Sequence, residues 1–550
     1  MKKWKYITSF VVALGLSVGL VSAQPVITPP TFATHVFTPL HLFYMSPTGS
    51  DAANGLTPAT AWATPNHNLV CGDVIIAASG TYNGDFSTWG TVSSCPSTSG
   101  GVDGTGGIQA AVLLCGGTDL GANGCKINCA TGACNTGAGD GTHGNAVKAV
   151  MQLNKNNWSI QGWQGNGNGT TGRGFQMDTC LSSTQIVHHV SVINSIIINA
   201  NQGLGATGCL HDGTAVPGNG FDYTAWVGVI VENAAQDSIC LGAVDIVGPA
   251  NFDTNSGTHM YIKDTFVSSS FATPCITISD AEGILLDTLD GHAYSGQIVI
   301  DNNAAWNNMR NCIQVFYQNY HNTTPIINIH NNSCYNNLTN VGNDGGGAEI
   351  NTNNSNQGGL NIGIPWTTTI QKNIARNTHD LSDSTTKHIV ALVSGGNPAS
   401  TAMTIGGTGT ENVFLSSSTV ALGTCDSTKS ACEFNSNSFG TNIYVNPNYA
   451  NESDLNTNWL GAPDCTGFPS TTRCMGYNPL TSTLTPNTPI ADLQASCTGC
   501  SGKGYQLPTT VCNTNAEFPA YLKNLVRLSW NSSNSTITQV YDLSTVKCGS

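Results

Sequence analysis

Val190-Ser-Val-Ile-Asn194-Ser-Ile-Ile-Ile198 is a run of β-branched residues with one asparagine near its middle. Short runs of this kind between turn signals read as strands. Asparagine is one of the few residues besides glycine that tolerates a left-handed turn. The stretch therefore predicts strand, tight turn, strand. The pattern returns in Val227-Gly-Val-Ile-Val-Glu-Asn233, Met260-Tyr-Ile-Lys-Asp264, Ile298-Val-Ile-Asp-Asn-Asn303, Ile326-Ile-Asn-Ile-His-Asn-Asn332 and Thr368-Thr-Ile-Gln-Lys-Asn373. Each run is followed, after a loop, by a second short apolar segment. These include Gly242-Ala-Val-Asp-Ile-Val247, Gly283-Ile-Leu-Leu-Asp287, Cys312-Ile-Gln-Val-Phe316, Ala348-Glu-Ile-Asn351 and His388-Ile-Val-Ala-Leu-Val393.

One strand–turn–strand unit recurring every few tens of residues predicts a solenoid. Alternate side chains would point inward and stack on their equivalents in the coils above and below, with asparagines hydrogen-bonding along a ladder at the turns. A β-sandwich does not need one unit repeated so often. A β-propeller would show regular blades with markers of their own. The expected fold is all-β: a right-handed, single-stranded parallel β-helix with long Gly- and Cys-rich loops and a C-terminal cap.

Outside the repeats the chain divides as follows. Lys2, Lys3 and Lys5 precede an apolar stretch from Ile7 to Val21, and Val21-Ser22-Ala23 supplies small residues for cleavage. Residues 1–23 therefore read as a secretory signal peptide, shorter in its apolar run than a membrane span. Residues 24–40 are a Pro- and Thr-rich lead-in, 41–440 the β-helix, and 441–550 closing coils and a disulfide-bearing cap over the open end, with residues 500–548 forming that cap. All 20 cysteines lie beyond the signal, which in an exported chain predicts disulfides. Cys425 with Cys432, Cys465 with Cys474, and Cys125, Cys129 and Cys134 are locally spaced candidates. Cys497-Thr-Gly-Cys500 has CxxC spacing without a second metal-binding pair and reads as structural.

Composition excludes some partners. Net charge is −14, and Lys plus Arg total only 18. No basic field for nucleic acid is present, and an acidic substrate would need a few local cations or bound Ca²⁺.

Against a background of 9% charged residues, Ser279-Asp280-Ala-Glu282-Gly283-Ile-Leu-Leu-Asp287-Thr-Leu-Asp290-Gly-His292 holds four carboxylates within a short span. Tyr261 and Lys263 lie one coil earlier and Arg310 one coil later. Coils about 4.8 Å apart would make these residues neighbours. Two kinds of chemistry suit them. In β-elimination, Ca²⁺ held by Asp280, Glu282, Asp287 and Asp290 would neutralise a uronate carboxylate while Arg310 or Lys263 takes the adjacent C–H proton. In hydrolysis, two carboxylates such as Asp287 and Glu282 would act as acid and base. Tyr261, His292, Asp245 and Glu349 are candidate substrate contacts. Each of these residues also has a plain structural reading, since Asp and Asn satisfy backbone groups at turns. His188 and His189 are adjacent in a strand, where alternation sends side chains to opposite faces, so no shared site is expected of them. Trp158, Trp163, Trp226 and Trp306 are expected in core or loop packing rather than on a sugar-stacking surface.

The opening Ser46-Pro47-Thr48-Gly49-Ser50-Asp51, then Trp62-Ala63-Thr64, then Gly72-Asp73-Val74-Ile75-Ile76 through Gly80-Thr81-Tyr82, resembles the start of many secreted bacterial parallel β-helix proteins of the pectate-lyase-like superfamily. Gly257-Thr-His-Met-Tyr-Ile262, Asp280 to Gly291, and Asp301-Asn-Asn303 through Arg310 to Phe316 are similar to a recurrent core of that group, departing from it at Ala281 and at Asn307-Asn308-Met309. Asn442-Ile-Tyr-Val-Asn-Pro-Asn-Tyr449 resembles its closing strand. The resemblance implies a polysaccharide partner, and often Ca²⁺, but no activity residue by residue. The expectation is a secreted, monomeric protein, most simply a Ca²⁺-assisted polysaccharide lyase. The alternatives are a glycoside hydrolase on the same fold or a non-catalytic glycan-binding surface or matrix protein.

Overall fold

The structure is a computed structural model. It describes residues 35–95 (apart from 84–85 and 87), 110–128 (apart from 119 and 121), 135–136, 148–167, 172–178, 186–200, 202–207, 210–211, 214–215, 220–232, 244–247, 260–263, 266–268, 283–288, 297–306, 312–317, 326–335, 350–353, 367–377, 403–407, 412–416, 443–445, 477–478, 483–484 and 526–542.

Those residues build a parallel β-helix. From Lys148 the chain runs Lys148–Leu153, Trp158–Gln161, Trp163–Asn166, then begins again with Gly172–Asp178, Ile186–Ile193, Ile196–Ile198. The first member of each triplet enters an 8-stranded sheet, the second an 11-stranded sheet and the third another 11-stranded sheet. We call these the first, second and third walls. Every pairing within them is parallel except that of the two-residue edge strand Asn135–Thr136. A short 3-10 turn, Pro58–Thr60, interrupts the β structure near the start.

Register explains why the β-branched runs close into a coil. In the second wall Ile75, Leu113, Ile160, Val192, Trp226, Ile262, Ile300, Ile329, Ile370 and Ile405 fall in one row. Most of the row is buried in the central core. The first wall supplies Met151, Phe175, Leu204, Ile284 and Ile313 to the same core. Trp158, Trp163 and Trp226 are fully buried there, as expected of packing residues. Burying one such aliphatic or aromatic side chain contributes about 1.5–3 kcal/mol.

The corner between the second and third walls makes the turn regular. Gly162, Asn194, Gly228, Asn302, Asn331, Lys372 and Gly406 all have positive φ, between 47° and 76°. After three of them comes a buried asparagine, and with Asn412 these form a ladder. Asn303 Nδ2 donates to Asn332 Oδ1 (2.9 Å), Asn332 Nδ2 to Asn373 Oδ1 (3.0 Å), and Asn373 Nδ2 to Asn412 Oδ1 (3.0 Å). Each of the last three asparagines also donates to a carbonyl of the preceding coil: Ile300, Ile329 and Ile370.

The opening motif is structural. Asp51 accepts from the N–H groups of Ala63 and Thr64, from the Thr64 hydroxyl and from His67. A side chain at Gly49 would collide with the Trp62 carbonyl. Asp73 is buried, accepting the Val70 N–H and contacting His41 Nδ1 at 2.7 Å.

Two expectations about the periphery change. Cys125 pairs with Cys115 rather than with Cys129 or Cys134, because the two end and begin strands joined by one short loop. Cys71 pairs with Cys95, and Cys312 with Cys334 across the core. The candidates Cys425, Cys432, Cys465, Cys474, Cys497 and Cys500 lie outside the described residues. The C-terminal hairpin, Val526–Asn531 with Thr536–Asp542, does not sit over the far end. It joins His35–Phe37 in a three-stranded sheet and packs on the outside of the earliest coils. Leu528 and Ile537 cover Val74, Ile76, Val112 and Leu114, and the Leu528 N–H reaches Gln161 Oε1 at 2.9 Å. The physical reason lies in those outward positions, which are apolar in the first coils and need a cover.

Candidate functional site

The outer rows of the second wall change character along the helix. One row runs Tyr44, Ile76, Leu114, Gln161, Ile193, Val227, Lys263, Asp301, His330 and Gln371. Its neighbour, two residues away in each strand, runs Val74, Val112, Ser159, Ser191, Ala225, Tyr261, Val299, Asn328, Thr369 and Thr404. The early, apolar half of the wall holds the hairpin. From residue 261 onward both rows become mainly polar or ionisable.

Three consecutive coils thus bring Lys263, Asp301 and His330 into direct register at the end of three adjacent parallel strands. Asp301 and His330 are each about 6% exposed, with Asn328, also about 6% exposed, two residues before His330. The local reason is the corner that follows. Each of these strands ends in an ionisable residue, and in the 301 and 330 coils the left-handed residue and the ladder asparagine come next. The regular corner fixes the strand end, and with it the residue that stands there.

Of the expected site residues, Tyr261 and Lys263 therefore lie on the second wall. Asp245 and Asp287 lie on the first wall, in adjacent strands, with Asp245 in register with Leu285 and Asp287 with Val247. The alternation places both out of phase with the core residue Ile284. Lys263 stands in register with Asp301 and His330, and Asp287 lies on a different wall. Asp280, Glu282, Asp290, His292, Arg310 and Glu349 lie outside the described residues. Among the described residues no group of three or more His, Cys, Asp or Glu side chains gathers as a metal site.

Asp301 and His330 were not among the candidates read from sequence. The signal that finds them is alignment of strand ends on the Asn-Asn pairs: Ile300-Asp301-Asn302-Asn303 over Ile329-His330-Asn331-Asn332.

A second constellation sits where the chain enters the second wall. Here the alternation argument for His188 and His189 fails, because His189 has φ 54° and turns the strand locally. The two rings meet, with Nδ1 to Nδ1 at 2.9 Å. Asn156, one coil earlier, contacts His188 Nε2 with its amide nitrogen at 2.8 Å and accepts the His188 N–H with its oxygen at 3.0 Å. One coil later the Tyr223 ring stacks on His189, with centroids 4.9 Å apart.

No family model matches the chain, and no curated protein does. Among solved structures, a pectate lyase, Pel9A, aligns at 13% identity over 66% of this chain and 80% of that one, with a TM-score of 0.34. A rhamnogalacturonan lyase aligns at 14% identity over 65% and 89%, with a TM-score of 0.33. An alginate lyase from Paenibacillus sp. str. FPU-7 aligns at 11% identity over 57% and 94%, with a TM-score of 0.27. At these scores the fold assignment rests on the strand register of the chain itself.

Proposed function

We propose that this protein is an exported polysaccharide-active enzyme, a lyase of uronate-containing glycan, with its reacting groups on the polar half of the second wall. The observation that carries the proposal is the register row Lys263–Asp301–His330. β-Elimination needs one base beside the acidic C–H of the uronate, not the two opposed carboxylates of glycoside hydrolysis. In this reading neutral Lys263 takes the proton from the carbon next to the uronate carboxyl group. The glycosidic C–O bond at the neighbouring carbon breaks, a C=C bond forms, and the departing oxygen gains a proton as a new reducing end. Asp301 stands between Lys263 and His330 in the row. His330 and Asn328 are groups of the right chemistry to bind sugar hydroxyls or carboxylate.

Calcium is a separate part of the proposal, supported by the concentration of Asp280, Glu282, Asp287 and Asp290 in a charge-poor chain. Because Asp287 stands on a different wall from Lys263, such an ion would neutralise the reacting carboxylate only where Arg310 is the base, and otherwise a carboxylate elsewhere on the glycan. Arg310 is the alternative base. Three disulfides in the described residues support export into an oxidising compartment. No described helix is long and apolar enough to cross a membrane. A second reading, glycan binding without chemistry, is favoured by the polar positions Asn328, Thr369 and Thr404 late in the outer row.

The test is ultraviolet absorbance of unsaturated uronate product from a panel of acidic polysaccharides, with Ca²⁺ or with a chelator. A rise in absorbance supports the lyase. No rise, with retention on an immobilised glycan, replaces it with the binding reading. New reducing ends without a rise in absorbance replace it with the hydrolase.

A further inference from the structure

We infer that the C-terminal hairpin is a closing strap: it clamps the first coils of the solenoid, which reach full stability only once residues 526–542 have docked. The first coils are short of neighbours. A solenoid is held by contacts between successive coils, and a coil at its end has a neighbour on one side only. Here one wall is short as well. The 8-stranded first wall begins with Asn135–Thr136 and Lys148–Leu153. Earlier in the chain, among the described residues, the segments that lead into the second wall are Leu69–Val70 and Val92–Ser93, two residues each, paired in a small sheet of their own. The second-wall strands that follow them, Val74–Ala77 and Ala111–Cys115, are nevertheless buried on both faces. Ile75, Ala77, Ala111 and Leu113 face the central core. Val74, Ile76, Val112 and Leu114 face outward and are buried by the hairpin.

The docking is specific in register. Leu528 and Trp530 alternate onto one face of their strand, while Ser529 between them is exposed. Ile537 stands opposite Trp530, and Phe37 opposite Ile537, so three strands present one apolar face. The Trp530 ring meets Tyr44 edge-on, with centroids 6.3 Å apart. It lies so close to the wall that a Cβ on Gly116 would stand 3.1 Å from it and 2.9 Å from Ile76. One polar residue interrupts the covered row, which runs Ile76, Leu114, Gln161, Ile193 and Val227. Gln161 is buried, its Nε2 donates to Ser159 Oγ (3.1 Å), and Ser191 Oγ donates to the same oxygen (2.9 Å). Its Oε1 accepts the Leu528 N–H at 2.9 Å. A buried N–H without an acceptor is costly, and a slip of one residue would turn Leu528 and Trp530 to the outside. Gln161 therefore selects the one register in which the apolar face meets the wall.

The strap also sets an order of events. Leu528 and Gln161 are 367 positions apart. The N-terminal part of a chain is synthesised and folds first, and here the cover for its coils is made long after them. The same hairpin holds His35–Phe37, so the earliest and the latest described strands share one sheet. A chain cut before Val526 would leave Val74, Ile76, Val112 and Leu114 as an apolar patch in water. The stability of the beginning thus depends on the presence of the hairpin, a long-range coupling that contact between neighbouring coils does not supply.

The experiment is hydrogen exchange of the full chain carrying Leu528→Ala or Trp530→Ala, two changes confined to the hairpin, beside Ser533→Ala in its exposed turn. The decisive segments are 80–82 and 125–128. They form the third wall of the same coils and are not among the residues that pack against the hairpin. In the first two variants the hairpin 526–542, the covered strands 74–77 and 111–115, and the segments 80–82 and 125–128 should each lose protection by about tenfold or more. Segments 298–303 and 327–334 should keep theirs, and Ser533→Ala should stay within about threefold of the unsubstituted protein throughout. A hairpin that opens while 80–82 and 125–128 keep their protection is a cover and not a clamp, which overturns the inference. A hairpin whose protection is unchanged in both variants overturns it too, as does an equal loss in 298–303, because the effect would then belong to the whole solenoid.

Discussion

Replacing Asn332 with alanine should open the corner between the second and third walls. The Asn332 side chain takes part in four hydrogen bonds. Its oxygen accepts the Asn303 N–H (3.0 Å) and the Asn303 amide (2.9 Å), while its nitrogen donates to the Ile300 carbonyl and to Asn373 Oδ1, both at 3.0 Å. The whole environment is buried. At about 1 kcal/mol net per bond the loss is roughly 3–4 kcal/mol, and the Asn303 N–H is left in the interior without its acceptor. In a solenoid each coil contacts only its neighbours, so the effect should stay local. Hydrogen exchange should therefore show residues 298–306 losing protection by about two to three orders of magnitude, at about 1.4 kcal/mol per tenfold. Segments of the first coils, such as 74–77, should be unaffected. Asn332→Asp keeps the acceptor but turns the donor into an oxygen facing the Ile300 carbonyl. Burial without a donor raises the pKa of that carboxyl, so the cost is full at neutral pH and is relieved as acid protonates the group. The exposed control Asn66→Ala should change stability by less than about 0.5 kcal/mol. A change below threefold in the 298–306 segment of Asn332→Ala would refute the ladder as a source of stability.

Other consequences follow from the same geometry. Lys372 holds φ 55° where neighbouring coils use Asn or Gly. Lys372→Asn should stabilise the protein by about 1 kcal/mol, raising the urea midpoint. Leu528→Ala should cost about 2–4 kcal/mol and make the hairpin the first site of limited proteolysis, because its side chain covers the apolar outside of the early coils. Burial pushes the Asp51 carboxyl upward, but the Thr64 hydroxyl, the Thr64 and Ala63 N–H groups and His67 outweigh it and hold the pKa below its ordinary value of 3.8. Asp51 therefore contributes stability that is complete above that value and is lost as pH falls through the lower folded one. Asp51→Asn should flatten the acid limb of a thermal-melting profile below about pH 4, and an unchanged limb would remove Asp51 as its cause.

The fold was legible because its determinants are local and repeated. The apolar row through Ile160, Val192, Ile300, Ile329 and Ile370 and the turn asparagines both follow from strand alternation and left-handed propensity. The path of the tail was not legible. Nothing in residues 526–542 says which face of the solenoid they cover, and the answer lies in the outward residues Val74, Ile76, Val112 and Leu114, hundreds of positions away. The site was read in part. Lys263 and Tyr261 were found because they stand near a conspicuous acidic segment, but that segment leads onto another wall. Proximity along the chain is a poor guide to neighbourhood when each coil turns three corners. Asp301 and His330 went unremarked because each is unexceptional in its own strand, and only register sets them beside Lys263. His188 and His189 escaped because one left-handed residue suspends the alternation on which the reading relied.

In the proposed reading, chemistry belongs to the second-wall row rather than to the acidic segment leading to Asp287. The direct test is the rate of unsaturated-product formation at saturating Ca²⁺ in Lys263→Ala and Asp301→Asn beside Arg310→Ala and Asp287→Asn. Lys263→Ala should lose about 100-fold or more, Asp301→Asn should lose markedly, and Asp287→Asn should regain its rate once Ca²⁺ exceeds the level that saturates the unsubstituted protein. A wild-type rate in Lys263→Ala, together with irrecoverable loss in Arg310→Ala and Asp287→Asn, would contradict this reading and move the site to the first wall.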